Sequence, residues 1–255
     1  MSGSTVATDT IGRQRRIRFE HEAKPNPIGV GTLDELEAAI AAVEADDDVA
    51  VVSFAGAGGA FATGADLSEL ADWWEEGRWD RLVEFVHRGQ QVVDRIDGLV
   101  VPTIAAIDGY ALGGGLEVAL ACDFRFASGE AQLGTPEVEL GMLPAWGGTQ
   151  RLPALVGEST ALDLLLSGRR VEAAEAESLG LVDRVVDDDE LLAVVDDYAA
   201  DLAEKPAETV AHILDAVRAG RSRPTQGGLA VELRNDVLSI FTDEAQARTR
   251  AFLDG

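Results

Sequence analysis

Twice in this chain a short, mainly apolar run rich in β-branched residues passes directly into a glycine-rich loop and then into a helical pattern. "VAVVSFAG" (49–56) leads into "AGAGGAFATGADL", and "TIAAID" (103–108) leads into "GYALGGGLEVALACD". Runs of that length and character suit buried parallel strands, whose two faces must both be covered by apolar groups. The order strand, loop, helix therefore predicts an α/β core.

The glycine triplet is the sharper feature. A helix that begins at glycines presents unpaired N–H groups and the positive end of its dipole, where an anion or a developing oxyanion is best held. Neither glycine loop matches G-x-x-x-x-G-K-[ST] or G-x-G-x-x-G, so nucleotide cradles are disfavoured. Two loops, each following a strand, could instead each supply one N–H to a single oxygen. Just inside the second helix lies Glu117, among Leu116, Val118, Ala119 and Leu120. An isolated glutamate on a helix usually faces solvent, but these small apolar neighbours favour a lined pocket.

Elsewhere, "RRIRFEHE" (15–22) predicts an edge strand, and "TLDELEAAIAAVEA" (32–45) predicts a helix opened by a capping box of Thr32 and Glu35. Leu82 to Ile96 has amphipathic spacing and is closed by Gly98 and Pro102. After Pro136, helices are expected at 147–156, 158–167, 171–180, 188–203, 206–219 and 228–253, interrupted by a strand "VDRVV" (182–186). An α/β core followed by a helical tail results.

Composition narrows the function. The lone Cys122 sits in an apolar run and reads as a buried thiol, while His21, His87 and His212 are too scattered for a metal cluster. With no long apolar span and no signal-peptide layout at the N-terminus, a soluble cytoplasmic protein without a membrane partner is expected. The 46 acidic residues outnumber 21 basic ones for a net charge of −25, and Lys24 and Lys205 are the only lysines. Nucleic acid is an unsuitable partner for such a chain, since phosphate backbones need a basic footprint. An acidic, lysine-poor surface suits a halophilic protein, because salt shortens the range of its self-repulsion.

Together the segments "GGAFATGADL" (58–67), "AAIDGYALGGGLEVALACD" (105–123), "QLGTPEVELGMLPAWGGTQRLPALVG" (132–157), "GLVDRVV" (180–186) and "FTDEAQARTRAFL" (241–253) resemble the enoyl-CoA hydratase/isomerase (crotonase) superfamily. The order and spacing agree from about Val49 to the end. The resemblance implies a spiral of ββα units in residues 1–190, with the active site, and a C-terminal helical oligomerisation region in 191–255 that builds a homotrimer or hexamer. It further implies that the N–H groups of Ala65 and Gly114 form an oxyanion hole for a thioester carbonyl. Glu117 and Glu137 fall at the positions of two catalytic glutamates; we assign Glu117 as the water-activating base and Glu137 as the proton donor. Ala65, Asp66, Leu67, Gly114 and Trp146 are expected to line the substrate site, with Trp73 or Trp74 shaping the acyl pocket beside Trp146. Without the other members of the set, Glu137 would read as an ordinary first-turn acid after Pro136. The implied reaction is hydration of a 2-enoyl-CoA, as in fatty-acid β-oxidation, with no metal or redox cofactor, coenzyme A being part of the substrate. A Δ3,Δ2-enoyl-CoA isomerase is the alternative and needs only one carboxylate.

Two departures stand out. Where the family commonly has N-R-P-x-x-x-N-A, this chain has "EHEAKPNPIGVGTLDE", which keeps only Asn26 and Pro27. The turn "LPAWGG" carries Ala145 and Trp146 where small residues are usual, which narrows or reshapes the acyl end and favours short chains. For the phosphates of coenzyme A, "RQRRIR" (13–18) and Arg151 are candidate cations; the arginine run otherwise reads as a charged strand edge.

Overall fold

The strand-then-glycine-loop pattern repeats through space as well as sequence. A computed structural model describes residues 4–222 together with Val231, Leu233 and Arg234. Its elements are β1 (Val6–Ile11), β2 (Gln14–Phe19), α1 (Val30–Glu44), β3 (Val51–Gly56), β4 (Ala60–Ala62), α2 (Leu67–Glu75), α3 (Trp79–Asp97), β5 (Thr103–Ile107), β6 (Tyr110–Leu112) and α4 (Gly114–Ala121). There follow β7 (Phe124–Ser128), β8 (Gln132–Gly134), a 3₁₀ turn (Pro136–Leu140), α5 (Gly148–Val156), α6 (Glu158–Ser167), β9 (Arg170–Glu172), α7 (Ala173–Ser178), β10 (Arg184–Val186), α8 (Leu191–Ala203) and α9 (Ala207–Ser222).

Successive strand pairs divide between two sheets. The larger has the order β1-β2-β3-β5-β7-β10 and the smaller β4-β6-β8-β9. In β3–β4, β5–β6 and β7–β8 the first strand joins the large sheet and the second the small one, so each ββα unit advances the chain by one strand in both. Pairing is parallel except at the β1–β2 and β8–β9 ends. The large sheet is covered on both faces, which explains why β3 and β5 lack polar alternation. Val52, Phe54, Ala105 and Ile107 point into the main core with α1, α3 and α4. Val51, Ala55, Ile104 and Ala106 lie under Leu191, Val195 and Ala199 of α8.

Several expectations need correction. β2 is not an edge strand: β1 lies outside it, and Arg15, Arg16 and Arg18 are engaged by Asp46, Asp196, and Asp9 with Glu20. The capping box is absent. Helix α1 starts at Val30, and the Glu35 carboxylate instead accepts the N–H groups of Thr5 and Val6, both at 2.8 Å, tying β1 to the helix. Glu69 of α2 takes over at the helix start, accepting from Val30 N–H at 3.0 Å. The segment expected to be helical from 171 opens as β9, because it pairs antiparallel with β8 before α7 begins. The expected helix 228–253 and the motif at 241–253 lie outside the described residues, apart from Val231, Leu233 and Arg234.

Candidate active site

All of α4 is buried, so the helix that begins at the glycine triplet enters the core directly. Gly113 sits at φ 53°, ψ −127°, a conformation that side chains resist, and its N–H donates to Gly134 O at 2.9 Å. One turn later Glu117 is 2% exposed. A buried carboxylate is costly unless hydrogen bonds receive it. Here they do: the backbone N–H groups of Trp146 and Gly148 both donate to Glu117 Oε1 at 2.7 Å. Burial nevertheless dominates and, with the nearby Glu137 charge, pushes the Glu117 carboxyl up to about 7 against the two amides and Arg151.

Glu137 stands on the 3₁₀ turn behind Pro136. Its side chain reaches the other flank of the triplet, where a Cβ added to Gly113 would lie 3.0 Å from Glu137 Oε1. Its Oε2 is buried and has no hydrogen-bond partner among the described residues. Burial raises this carboxyl as well.

The two expected N–H donors also come together. A Cβ built on Gly64 would lie 3.1 Å from Gly114 N, so the backbone entering Ala65 abuts the start of α4. Ile28 holds this loop in a short parallel bridge, donating to Gly64 O at 2.7 Å and accepting from Asp66 N–H at 3.1 Å. Among the described residues nothing accepts from Ala65 N–H or Gly114 N–H, which leaves both free for a ligand. The sequence offered no role for the residue that braces this loop. Asn26, 2% exposed and at φ 53°, donates through its amide to Ala57 O and Ala60 O at 2.9 and 2.7 Å and accepts from His21 N–H at 2.8 Å. Only its survival within an otherwise lost motif could have singled it out.

Of the other expected lining residues, Asp66 is already engaged. It caps α2 by accepting from Ser68 N–H at 3.0 Å and pairs with Lys24 Nζ at 2.7 Å. Leu67 is 48% exposed. Trp146 packs beside Gly114, and Trp73 reaches it through Phe85, whereas Trp74 turns to solvent. Arg151 does not offer a free cation. It donates to Trp146 O at 3.0 Å and to Asp94 at 2.6 Å, bracing the loop that holds Glu117. Among the described residues no group of three metal-ligating side chains could hold an ion.

A spiral of ββα units that presents one buried and one half-buried carboxyl group and two free N–H donors around one glycine triplet defines a class of protein. A family model described as enoyl-CoA hydratase/isomerase matches residues 15–254. The chain belongs to that family. It is 36% identical over 235 residues to the "Probable enoyl-CoA hydratase" of Bacillus subtilis (strain 168), covering 92% of this chain and 90% of that one. It is 35% identical over 251 residues to the short-chain-enoyl-CoA hydratase of Clostridium acetobutylicum, covering 98% and 91%. Its fold matches the crystal structure of an enoyl-CoA hydratase from Bacillus anthracis with TM-score 0.94 at 32% identity, covering 98% and 96%.

Proposed function

We propose that this protein is a 2-enoyl-CoA hydratase acting on an acyl-CoA thioester. The observation that carries the reading is a pair of carboxyl groups, Glu117 fully buried and Glu137 half-buried, each with its pKa raised by burial, placed around two N–H donors that have no partner among the described residues. The thioester oxygen accepts from Ala65 N–H and Gly114 N–H. Glu117, as carboxylate, takes a proton from water while the water oxygen bonds to the β-carbon. The electron pair of the double bond moves to the α-carbon and thioester, where the two donors stabilise the enolate by several kcal/mol in a water-excluded site. Glu137 gives its proton to the α-carbon, so H and OH have been added and one proton has passed from one carboxyl to the other. The hydrogen bonds favour this division of roles. Two amides reserve Glu117 Oε1 as an acceptor, whereas the unpartnered Glu137 oxygen is a poor place for a charge and a good one for a proton.

The test follows loss of the conjugated-thioester absorbance of crotonyl-CoA in concentrated salt. Wild type should hydrate it, and Glu117→Gln and Glu137→Gln should each slow turnover by about 10²- to 10⁴-fold while retaining the fold. Near-normal turnover in either variant would remove its assigned role. Isomerisation of a 3-enoyl-CoA without hydration of crotonyl-CoA would instead establish the isomerase alternative.

A further inference from the structure

The departure at Trp146 has a definite structural form. Its indole is 4% exposed and is held edge to edge between two glycines. A Cβ on Gly89 of α3 would lie 2.0 Å from Trp146 Cε2, and one on Gly114 of α4 would lie 2.5 Å from Trp146 Cζ3. Opposite edges of the ring thus occupy a gap left by two missing side chains on neighbouring helices. Phe85, one turn before Gly89, meets the indole edge-on with centroids 5.5 Å apart, and Trp73 meets Phe85 at 5.6 Å. The ring is therefore a plug fixed by an aromatic chain running from α2 through α3, and its six-membered edge rests on the residue that carries a thioester donor.

A thioester seated on Gly114 N–H has this ring in contact with the residue that holds it. An acyl chain directed from that thioester towards the indole would have to displace a side chain packed on both edges, and close-packed interiors resist that. The ring is also separable from the chemistry, since Trp146 reaches Glu117 through its backbone N–H and any residue except proline retains that donor.

We propose that the Trp146 indole closes the acyl end of the site and confines this protein to short-chain 2-enoyl-CoA thioesters. This rests on the hydratase reading and goes beyond it by naming the substrate class and the residue that sets it.

The experiment compares wild type, Trp146→Phe and Trp146→Leu with four-carbon and ten-carbon 2-enoyl-CoA, reading the ratio of the two kcat/KM values. Calorimetric titration with butyryl-CoA and decanoyl-CoA reads the same preference without turnover. Both ratios are internal to one preparation, so a partly unfolded variant still reports. Wild type should favour four carbons, and Trp146→Leu should shift both ratios towards ten carbons by at least about tenfold, with Trp146→Phe between. Equal use of the two lengths by wild type, or ratios unmoved in Trp146→Leu, would overturn the proposal. Length-selective binding that Trp146→Leu relaxes, in a protein that hydrates neither thioester, would support the plug while overturning the hydratase reading. Failure of wild type to bind either saturated thioester would overturn both.

Discussion

Glu117 was conspicuous in the sequence because a carboxylate among apolar neighbours needs a reason, but the letters could not say what receives it. Its receivers are the N–H groups of Trp146 and Gly148, which come from a turn about thirty residues on and have no side-chain signature. The same holds for Asn26, whose burial and three-way bonding depend on where β3 and β4 turn. A pH dependence follows from Glu117. Its carboxyl is pushed from 4.5 up to about 7, chiefly by burial, and the proposed chemistry needs the ionised form. The kcat/KM for crotonyl-CoA should therefore climb as pH rises through about 7, and Glu117→Gln should lack that limb in its residual rate. Stability runs the other way. A carboxyl whose folded pKa lies above its unfolded value contributes stability at low pH that is lost as pH rises through the folded value. Between about pH 4.5 and 7 wild type should thus lose stability relative to Glu117→Gln, as urea midpoints taken across that range would read. Parallel midpoints and a flat activity profile would show that Glu117 keeps an ordinary carboxyl.

Among the elements, those with a strong local pattern were legible: β3 and β5 from uncharged runs, α6 at its full span of Glu158–Ser167, and α4 from the triplet. The misreadings came where tertiary pairing outweighs local signals. Thr32 and Glu35 have capping-box spacing, yet Thr5 and Val6, at the entry to β1, offer Glu35 two backbone N–H groups. The small polar residues of β1 show no strand pattern apart from the partner that orders them. The turn before α5 is the element on which the site depends most. Gly147 sits at φ 110°, and a Cβ there would fall 2.0 Å from Arg151 Nη1, so glycine lets the guanidinium reach Trp146 O across the turn. Asp94 and Asp97 of α3 hold the other side of that guanidinium. The charge facing Glu117 is thus Arg151 against Glu137, and Arg151 lowers the Glu117 pKa. Arg151→Met should move the rising limb of kcat/KM to higher pH, whereas Arg151→Lys should restore much of its position. The pH profiles of the two variants provide the check, and a limb unmoved in Arg151→Met would leave Arg151 as packing alone.

The whole molecule raises the question of how so acidic a chain assembles and accepts a polyanionic ligand. Leu143, Leu162 and Leu166 are 63, 46 and 71% exposed, and Leu162 and Leu166 stand one turn apart on α6. We propose that subunit contacts cover them in a homotrimer or hexamer; the mass from light scattering in molar salt should be three or six times that of the chain, and a monomer would remove the proposal. Charge was legible in the sequence as a total of −25, but its distribution was not. Most of the arginines placed to meet a phosphate are already paired with carboxylates, namely Arg15, Arg16 and Arg18 on β2, Arg88 and Arg95 on α3, and Arg151 on α5, while Arg13 donates to the backbone oxygens of Asp48 and Ala203. Lys24, beside the first donor loop, faces Asp66. Local neutralisation of this kind leaves the surplus acids to repel one another and any incoming coenzyme A. Raising salt from about 0.1 to 1 M shortens the Debye length from about 10 to 3 Å, which screens both repulsions while leaving buried pairs little changed. The melting temperature should therefore rise and the KM for crotonyl-CoA fall over that range, read by calorimetry and by initial rates in NaCl. A melting temperature that stays level or falls would mean that the acidic surface is not an adaptation to salt, whatever the activity does.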